Sequence, residues 1–282
     1  MFFRVFYLVT ETNFSKTLTL VNITLKISMK NKYLDYISDE HLLSCIANLH
    51  SSYKSAKNNV TKKKFYKNKI DTVKLMFDAD FNSIEAGSLI EAEVIRQIDK
   101  SINNFIGTFH EEVLGGIEGY EKGKNSGYDI KAKDNSLFAD IKNKHNTMNS
   151  GNAESLFQKL ARYADDNKQA NCYWVQILAK KSFEQKWAGI INRKEYSHSR
   201  VFKISGDRFY ALLTGQEDAF FQLYKILPIA ISDFLSSLQK DEVESKNSAL
   251  SEIEVEASKT NRSILNQIAF ENFGYYLGFD KL

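Results

Sequence analysis

Gly127-Tyr128-Asp129-Ile130-Lys131-Ala132-Lys133-Asp134-Asn135-Ser136-Leu137-Phe138-Ala139-Asp140-Ile141-Lys142-Asn143-Lys144 alternates apolar and polar residues on both sides of an Asp-Asn pair. Asp134-Asn135 tolerates the left-handed backbone of a tight two-residue turn, so the stretch predicts an antiparallel hairpin. That turn sets Lys133 opposite Ser136, Lys131 opposite Phe138 and Asp129 opposite Asp140. One face then collects Tyr128, Ile130, Ala132, Leu137, Ala139 and Ile141, a core-facing set, and the other collects Asp129, Lys131, Lys133, Phe138, Asp140 and Lys142. A three-residue loop would put Asp129 opposite Ile141 and mix the two faces, so the binary pattern selects the register.

Directly opposed residues in such a pair have Cβ atoms roughly 4.5–5.5 Å apart, and like charges placed there repel. A hard divalent cation compensates two such carboxylates, because Mg²⁺ takes one or two of them and leaves its remaining positions to water and phosphate. Lys142 lies two residues beyond Asp140 and so on the same face, where an ammonium can orient or deprotonate an attacking water and offset phosphorane charge. Hydrolysis of a phosphodiester needs those parts: a proton leaves water, negative charge builds in the transition state, and the leaving oxygen must be stabilised. The same three residues also fit an ordinary exposed hairpin face carrying a surface ion pair, since Asp-x-Lys alone is a weak pattern.

Around the hairpin, 282 residues that are 43% hydrophobic and 26% charged suffice for one large core, and no apolar run reaches bilayer-spanning length. Cys45 and Cys172 are too far apart and too isolated for a zinc site or disulfide framework, and a reducing cytoplasm is the default. A net charge of +3 is far from that of a histone-like binder, so nucleic-acid affinity must come from local patches. Gly115-Gly116 and Gly119 lack the Lys-Ser/Thr of a phosphate loop, which removes support for nucleotide-dependent chemistry.

Residues 1–28 make a poor signal peptide, and Met29 precedes a regular helical start; a dispensable leader and a packed N-terminal strand both fit this segment. An N-terminal helical region is expected over 29–82, with a helix following Asp39-Glu40 and a Lys-rich one from about Thr61 to Phe77. Lys62 to Lys69 is the densest basic patch, read either as a solvated helix face or as a phosphate contact. The remainder, 83–282, reads as the catalytic core with C-terminal helices. A helix from Ser83 to Asn104 turns Leu89, Val94, Ile95 and Ile98 inward, and short strands begin near Phe109. Then follow a helix over Ala153–Ala164, a strand over Cys172–Leu178, strands near Gly189–Asn192 and Val201–Ile204, and helices over Asp207–Leu213, Asp218–Leu238 and Arg262–Phe273. Pro228 should cap or kink its helix, and Lys240–Thr260 reads as a mobile segment or an exposed helix. Aromatic residues around Trp174 and Trp187 are core candidates before they are base-stacking ones.

An Asp followed by Asp-x-Lys on the next strand, after an acidic helix, resembles the PD-(D/E)xK nuclease core. Asn125-Ser126-Gly127-Tyr128-Asp129-Ile130 and Asp140-Ile141-Lys142-Asn143-Lys144-His145-Asn146-Thr147-Met148-Asn149-Ser150 resemble more specifically the type II restriction endonucleases that cleave GGNCC. The chain departs from the superfamily pattern where Ser126-Gly127-Tyr128 stands in place of a Pro before the first Asp, and where Asp140 replaces the commoner Glu. The resemblance implies an α/β fold with a mixed central β-sheet flanked by helices. It also implies a Mg²⁺-dependent homodimer that cuts both strands of double-stranded DNA and is paired with a cognate methyltransferase. Under it Asp129, Asp140 and Lys142 are catalytic, the Ile141 carbonyl is a further metal ligand, and Glu91, preferred to Glu85 and Glu93, is the upstream acid.

Lys144, His145 and Asn146 continue the catalytic strand into a loop and offer donors to phosphates and base edges; His145 equally suits loop packing. Gln158 and Arg162 share a helical face farther on. For a G/C-rich target Arg162, Arg193 and Arg200 are better base readers than Gln158, because Arg matches guanine bidentately. A structure-specific or repair nuclease of the same fold and a catalytically inactive DNA-binding module are the competing functions.

Overall fold

A computed structural model describes residues 31–58, 60–123, 127–146, 148–238 and 249–273. The leader expected over 1–28, the motif residues Asn125 and Ser126, Thr147 and residues 240–248 of the polar stretch lie outside the described residues. From Asn31 onward the chain forms one compact unit.

Among the described residues four helices come first: α1 (Asp39–Asn58), α2 (Lys62–Lys67), α3 (Thr72–Asn82) and α4 (Ala86–Gly115). The single Lys-rich helix of the sequence reading is two, because Lys69 takes a left-handed φ of 45° and Asp71 caps a new start by accepting from Lys74 N at 3.0 Å. The fourth helix does not stop at Asn104. It runs for 30 residues, since Phe109, Val113 and Leu114 carry the apolar stripe onward at helical spacing and Gly107 meets no obstacle within it. Ile95, expected inside, is 64% exposed; Val94 takes the inner position.

Among the described residues a six-stranded mixed sheet follows, in the order β1 (Tyr120–Lys122), β2 (Ile130–Ala132), β3 (Leu137–Lys144), β4 (Asn171–Leu178), β8 (Val201–Ser205), β5 (Glu184–Lys186). β3, β4 and β8 run parallel, while β1, β2 and β5 pair antiparallel with their neighbours. Helix α5 (Ser150–Asp166) makes the crossover from β3 to β4, capped by Asn149 accepting from Asn152 N at 2.8 Å. A separate two-stranded ribbon, β6 (Gly189–Ile191) and β7 (Lys194–Tyr196), stands apart from the main sheet. Helices α6 (Gly206–Thr214), α7 (Ala219–Ser237), α8 (Ala249–Lys259) and α9 (Ile264–Phe273) follow among the described residues, so part of the expected mobile stretch is the helix α8. Pro228 lies inside α7 and does not end it.

Both faces of the sheet are buried. Ile130, Ala139, Ile141, Val175 and Ile204 pack with Val113, Leu114, Phe209 and Tyr210 on one side. Phe138, Cys172 and Val201 pack with Leu156, Phe157, Leu160 and Trp187 on the other. A third cluster joins Phe65, Leu75, Ile90 and Val94 to Ile253 and Ile268, so the N-terminal helices and the last two share a core. Each such fully buried side chain stabilises by about 1.5–3 kcal/mol. The mixed sheet flanked by helices, with a helical N-terminal region, is the fold class expected.

Candidate active site

The β2–β3 hairpin keeps the register read from its pattern, with Ile130 facing Ala139 and Lys131 facing Phe138; Asp129 lies one residue before β2, its N–H donates to the Ala139 carbonyl at 2.9 Å, and its carboxyl feels the charge of Asp140. Its loop is longer than a tight two-residue turn. Lys133, Asp134, Asn135 and Ser136 separate the strands, Asn135 alone among them takes a left-handed φ (59°), and Asp134 accepts from Ser136 N at 2.9 Å. The face expected to be polar is covered by α5, where Tyr163 stacks on Phe138 with centroids 5.1 Å apart. Tyr128 belongs to this side, edge-on to Phe138, and not to the core set in which the alternation placed it. At Gly127 (φ +81°) a Cβ would stand 2.6 Å from the Tyr163 hydroxyl, so the chain entering the site accepts only glycine there without rearrangement.

Asp140 is buried, at 4% exposure, and its carboxylate is clasped from two sides. Lys142 donates to Oδ1 from two residues along β3, and Lys159 of α5 donates to Oδ2 at 2.5 Å. Asp129 is held differently: its Oδ2 accepts from Ile141 N at 2.6 Å. Burial first and the charge of Asp140 second hold the Asp129 carboxyl above its usual range, against the pull of that N–H and of Lys142 and Lys159. The Ile141 carbonyl lies 3.4 Å from Lys142 Nζ. Asp129, Asp140, Ile141 and Lys142 are thus brought together.

Glu91 is not among them. It is exposed on the N-terminal half of α4, and the acid that the helix brings to the hairpin is Glu111, 20 positions and about 30 Å farther along the helix axis. Burial, then the charge of Asp129, raises the Glu111 carboxyl, while Lys122 at 3.3 Å and Lys142 draw it back. Ending α4 at Asn104 hid Glu111; the apolar repeat through Phe109 and Val113 was the signal that the helix continues. Lys159 is a residue that the sequence reading misses, because its approach to Asp140 is a tertiary contact.

Lys144 is exposed at the end of β3 and follows Asp140 and Lys142 on one face by alternation. His145 is pinned by its N–H and Nδ1 to the Leu178 carbonyl, at 3.2 and 3.1 Å, so loop packing claims one edge of the ring; Asn146 is exposed beside it. Arg162 is exposed on α5, three residues beyond Lys159. Arg200 is committed to structure, its guanidinium donating to the carbonyls of Asn167 and Lys168, whereas Arg193 is exposed at the tip of the β6–β7 ribbon. In the basic patch Lys62 is bound by Glu256 at 2.6 Å, and Lys63, Lys64 and Lys67 are exposed. Trp187 is core and Trp174 packs against it, centroids 4.6 Å apart. Burial pushes the thiols of Cys45 and Cys172 up to about 12, so neither is a nucleophile.

The donor set fits a hard divalent cation: two neighbouring carboxylates and a backbone carbonyl, all oxygen, with Asp129 reluctant to stay charged beside Asp140. Among the described residues no three His, Cys, Asp or Glu side chains cluster as a metal site would require. No helix among the described residues is long and apolar enough to cross a membrane.

The model of the Eco47II restriction endonuclease family matches residues 34–236. The type II restriction enzyme Sau96I of Staphylococcus aureus is 40% identical over 254 residues, which cover 87% of this chain and 97% of that enzyme. The type II restriction enzyme Eco47II of Escherichia coli is 31% identical over 214 residues, 72% of this chain and 88% of that enzyme.

Proposed function

The chain belongs to the Eco47II restriction endonuclease family, and from that premise we propose that it cuts both strands of double-stranded DNA at GGNCC with Mg²⁺, as a homodimer paired with a methyltransferase of the same specificity. The observation that carries the assignment of the chemistry is the approach of Asp129, at the start of β2, to Asp140 and Ile141 on β3, with Lys142 on the Asp140 carboxylate. Asp129, Asp140 and the Ile141 carbonyl would hold the cation, which when bound supplies Lewis acidity toward the phosphate oxygens. Lys142 turns from Asp140 to hold the attacking water and to offset the charge that builds on phosphorus. Glu111, whose carboxyl feels the charge of Asp129, is the α4 acid that best fits the role expected of Glu91. Lys144 and Asn146 offer donors to phosphates and base edges, Arg162 is a candidate guanine reader, and His145 presents Nε2 beside Lys144 and Asn146, its Nδ1 being engaged.

Digestion of a sequenced phage genome, with Mg²⁺ or chelator and beside Asp140→Ala, tests this directly. Discrete fragments ending at GGNCC that need Mg²⁺ and vanish in the variant are expected. Cleavage indifferent to Asp140 sinks the site; cuts set by DNA structure favour a repair-type nuclease; binding without any cleavage favours an inactive DNA-binding module.

A further inference from the structure

Asp140 carries one negative charge and two ammonium partners, Lys142 from its own strand and Lys159 from α5, with the acid buried and both lysines one-third exposed. A carboxylate that must also serve a divalent cation cannot keep both. Beside it lies a cavity of about 370 Å³ lined by Asp140, Lys142, Met148, Asn152, Ser155 and Lys159. Asn152, Ser155 and Lys159 recur at helical spacing along α5, so an amide, a hydroxyl and an ammonium line one wall as a ladder of donors. The one acid of the lining is Asp140, already neutralised by its two partners. Such a wall suits an anion with several acceptor oxygens.

Resting on the nuclease reading, we propose that this cavity is a phosphodiester subsite for the cleaved strand, in which Lys159 leaves Asp140 for a non-bridging phosphate oxygen and Asn152 and Ser155, up to about 10 Å along the helix axis from Lys159, donate to the same strand. Lys159 is then a substrate-binding residue and a second basic contact beyond Lys142. The exchange couples events: the cation displaces Lys159 from Asp140, and the phosphate receives it.

Binding of a short duplex carrying GGNCC, measured with a fixed concentration of Ca²⁺ in place of Mg²⁺ over a range of salt, decides the matter with the full-length wild type, Lys159→Gln, Lys159→Arg and Asn152→Ala/Ser155→Ala. A phosphate contact by Lys159 predicts that Lys159→Gln lowers the slope of log Kobs against log salt by about one and weakens binding about tenfold. Lys159→Arg restores the slope, and the double alanine variant weakens binding with the slope intact. Replacing successive phosphates by uncharged methylphosphonate should expose one position that costs the wild type affinity and costs Lys159→Gln none. A Lys159→Gln variant that loses cleavage with an unchanged slope overturns the proposal and makes Lys159 a positioning residue for Asp140. Wild-type chain that binds the duplex and never cuts it overturns the nuclease reading alone, and the slope still decides the subsite.

Discussion

At the scale of single residues, Asp129 and Asp140 are the same chemical group in opposite circumstances. Asp140 has two cations on it, and Asp129 has a backbone N–H and a repelling neighbour. A raised carboxyl pKa means that its ionised form opposes folding at neutral pH, so neutralising Asp129 should help the metal-free protein. Asp129→Asn keeps an acceptor for Ile141 N and is expected to abolish cleavage while raising the metal-free thermal midpoint. Asp140→Asn is expected to abolish cleavage and lower the midpoint, because it strands two ammoniums at a cost of about 2 kcal/mol, reduced from a fully buried pair by their exposure. Parallel melting curves in chelator check the sign, and a fall in both variants would show that the Asp129–Asp140 repulsion is not felt in the fold. The pair itself was legible in sequence because a period of two fixes which residues share a face. Lys159 was not, since nothing local in Asn152, Ser155 and Lys159 tells which way the helix face turns until α5 is laid on β3.

At the scale of elements, the β6–β7 ribbon is built to hold a shape that its sequence does not favour. Asn192 and Arg193 both take left-handed φ, 51° and 65°, the geometry of a type I′ turn in which glycine is the usual second residue. Arginine there costs about 1–2 kcal/mol. The ribbon is nonetheless fastened to α5, through Glu154, which accepts from Asn192 Nδ2 at 2.7 Å and from the Tyr196 hydroxyl. Strain kept in an exposed, anchored tip is what a group presented to a partner requires, and arginine matches the paired acceptors of guanine. Arg193→Gly is therefore expected to be no less stable than wild type yet to lose about ten- to hundredfold in the ratio of cleavage rates at GGNCC and at a site with one G changed. Arg200→Ala should behave oppositely, losing stability with discrimination kept, because its guanidinium ties down the Asn167 and Lys168 carbonyls. Unchanged discrimination in Arg193→Gly would remove the ribbon from base reading. The ribbon's first strand was visible in sequence; its turn was not, because Asn-Arg is a poor hairpin turn by composition and only the tertiary anchor imposes it.

At the scale of the whole molecule, α1, α4, α6 and α7 meet over one face of the sheet, and His110 sits in that junction. It shares a hydrogen bond with the Tyr210 hydroxyl at 2.9 Å and is ringed by Phe109, Tyr210 and Phe220. Burial lowers its pKa to about 4, so the fold accepts only the neutral ring over most of the pH range. The unfolded chain takes up this proton near pH 6.5 and the folded chain near 4. Between those values the unfolded state binds more protons and stability falls as pH falls. The contribution is complete above pH 6.5 and shrinks by roughly 3 kcal/mol on acidification to pH 4. Asp129 and Glu111 act in the other direction, because their raised carboxyls protonate early in the folded state and relieve repulsion there. The net curve alone therefore cannot identify the histidine; a difference curve can. Urea unfolding of wild type and His110→Gln from pH 7.5 to 4.5 should show the wild type losing stability more steeply below pH 6.5, with the two carboxyl contributions cancelling. Superimposable pH dependences would mean that His110 charges as readily in the fold as outside it, and that the helical junction over the sheet is open to water.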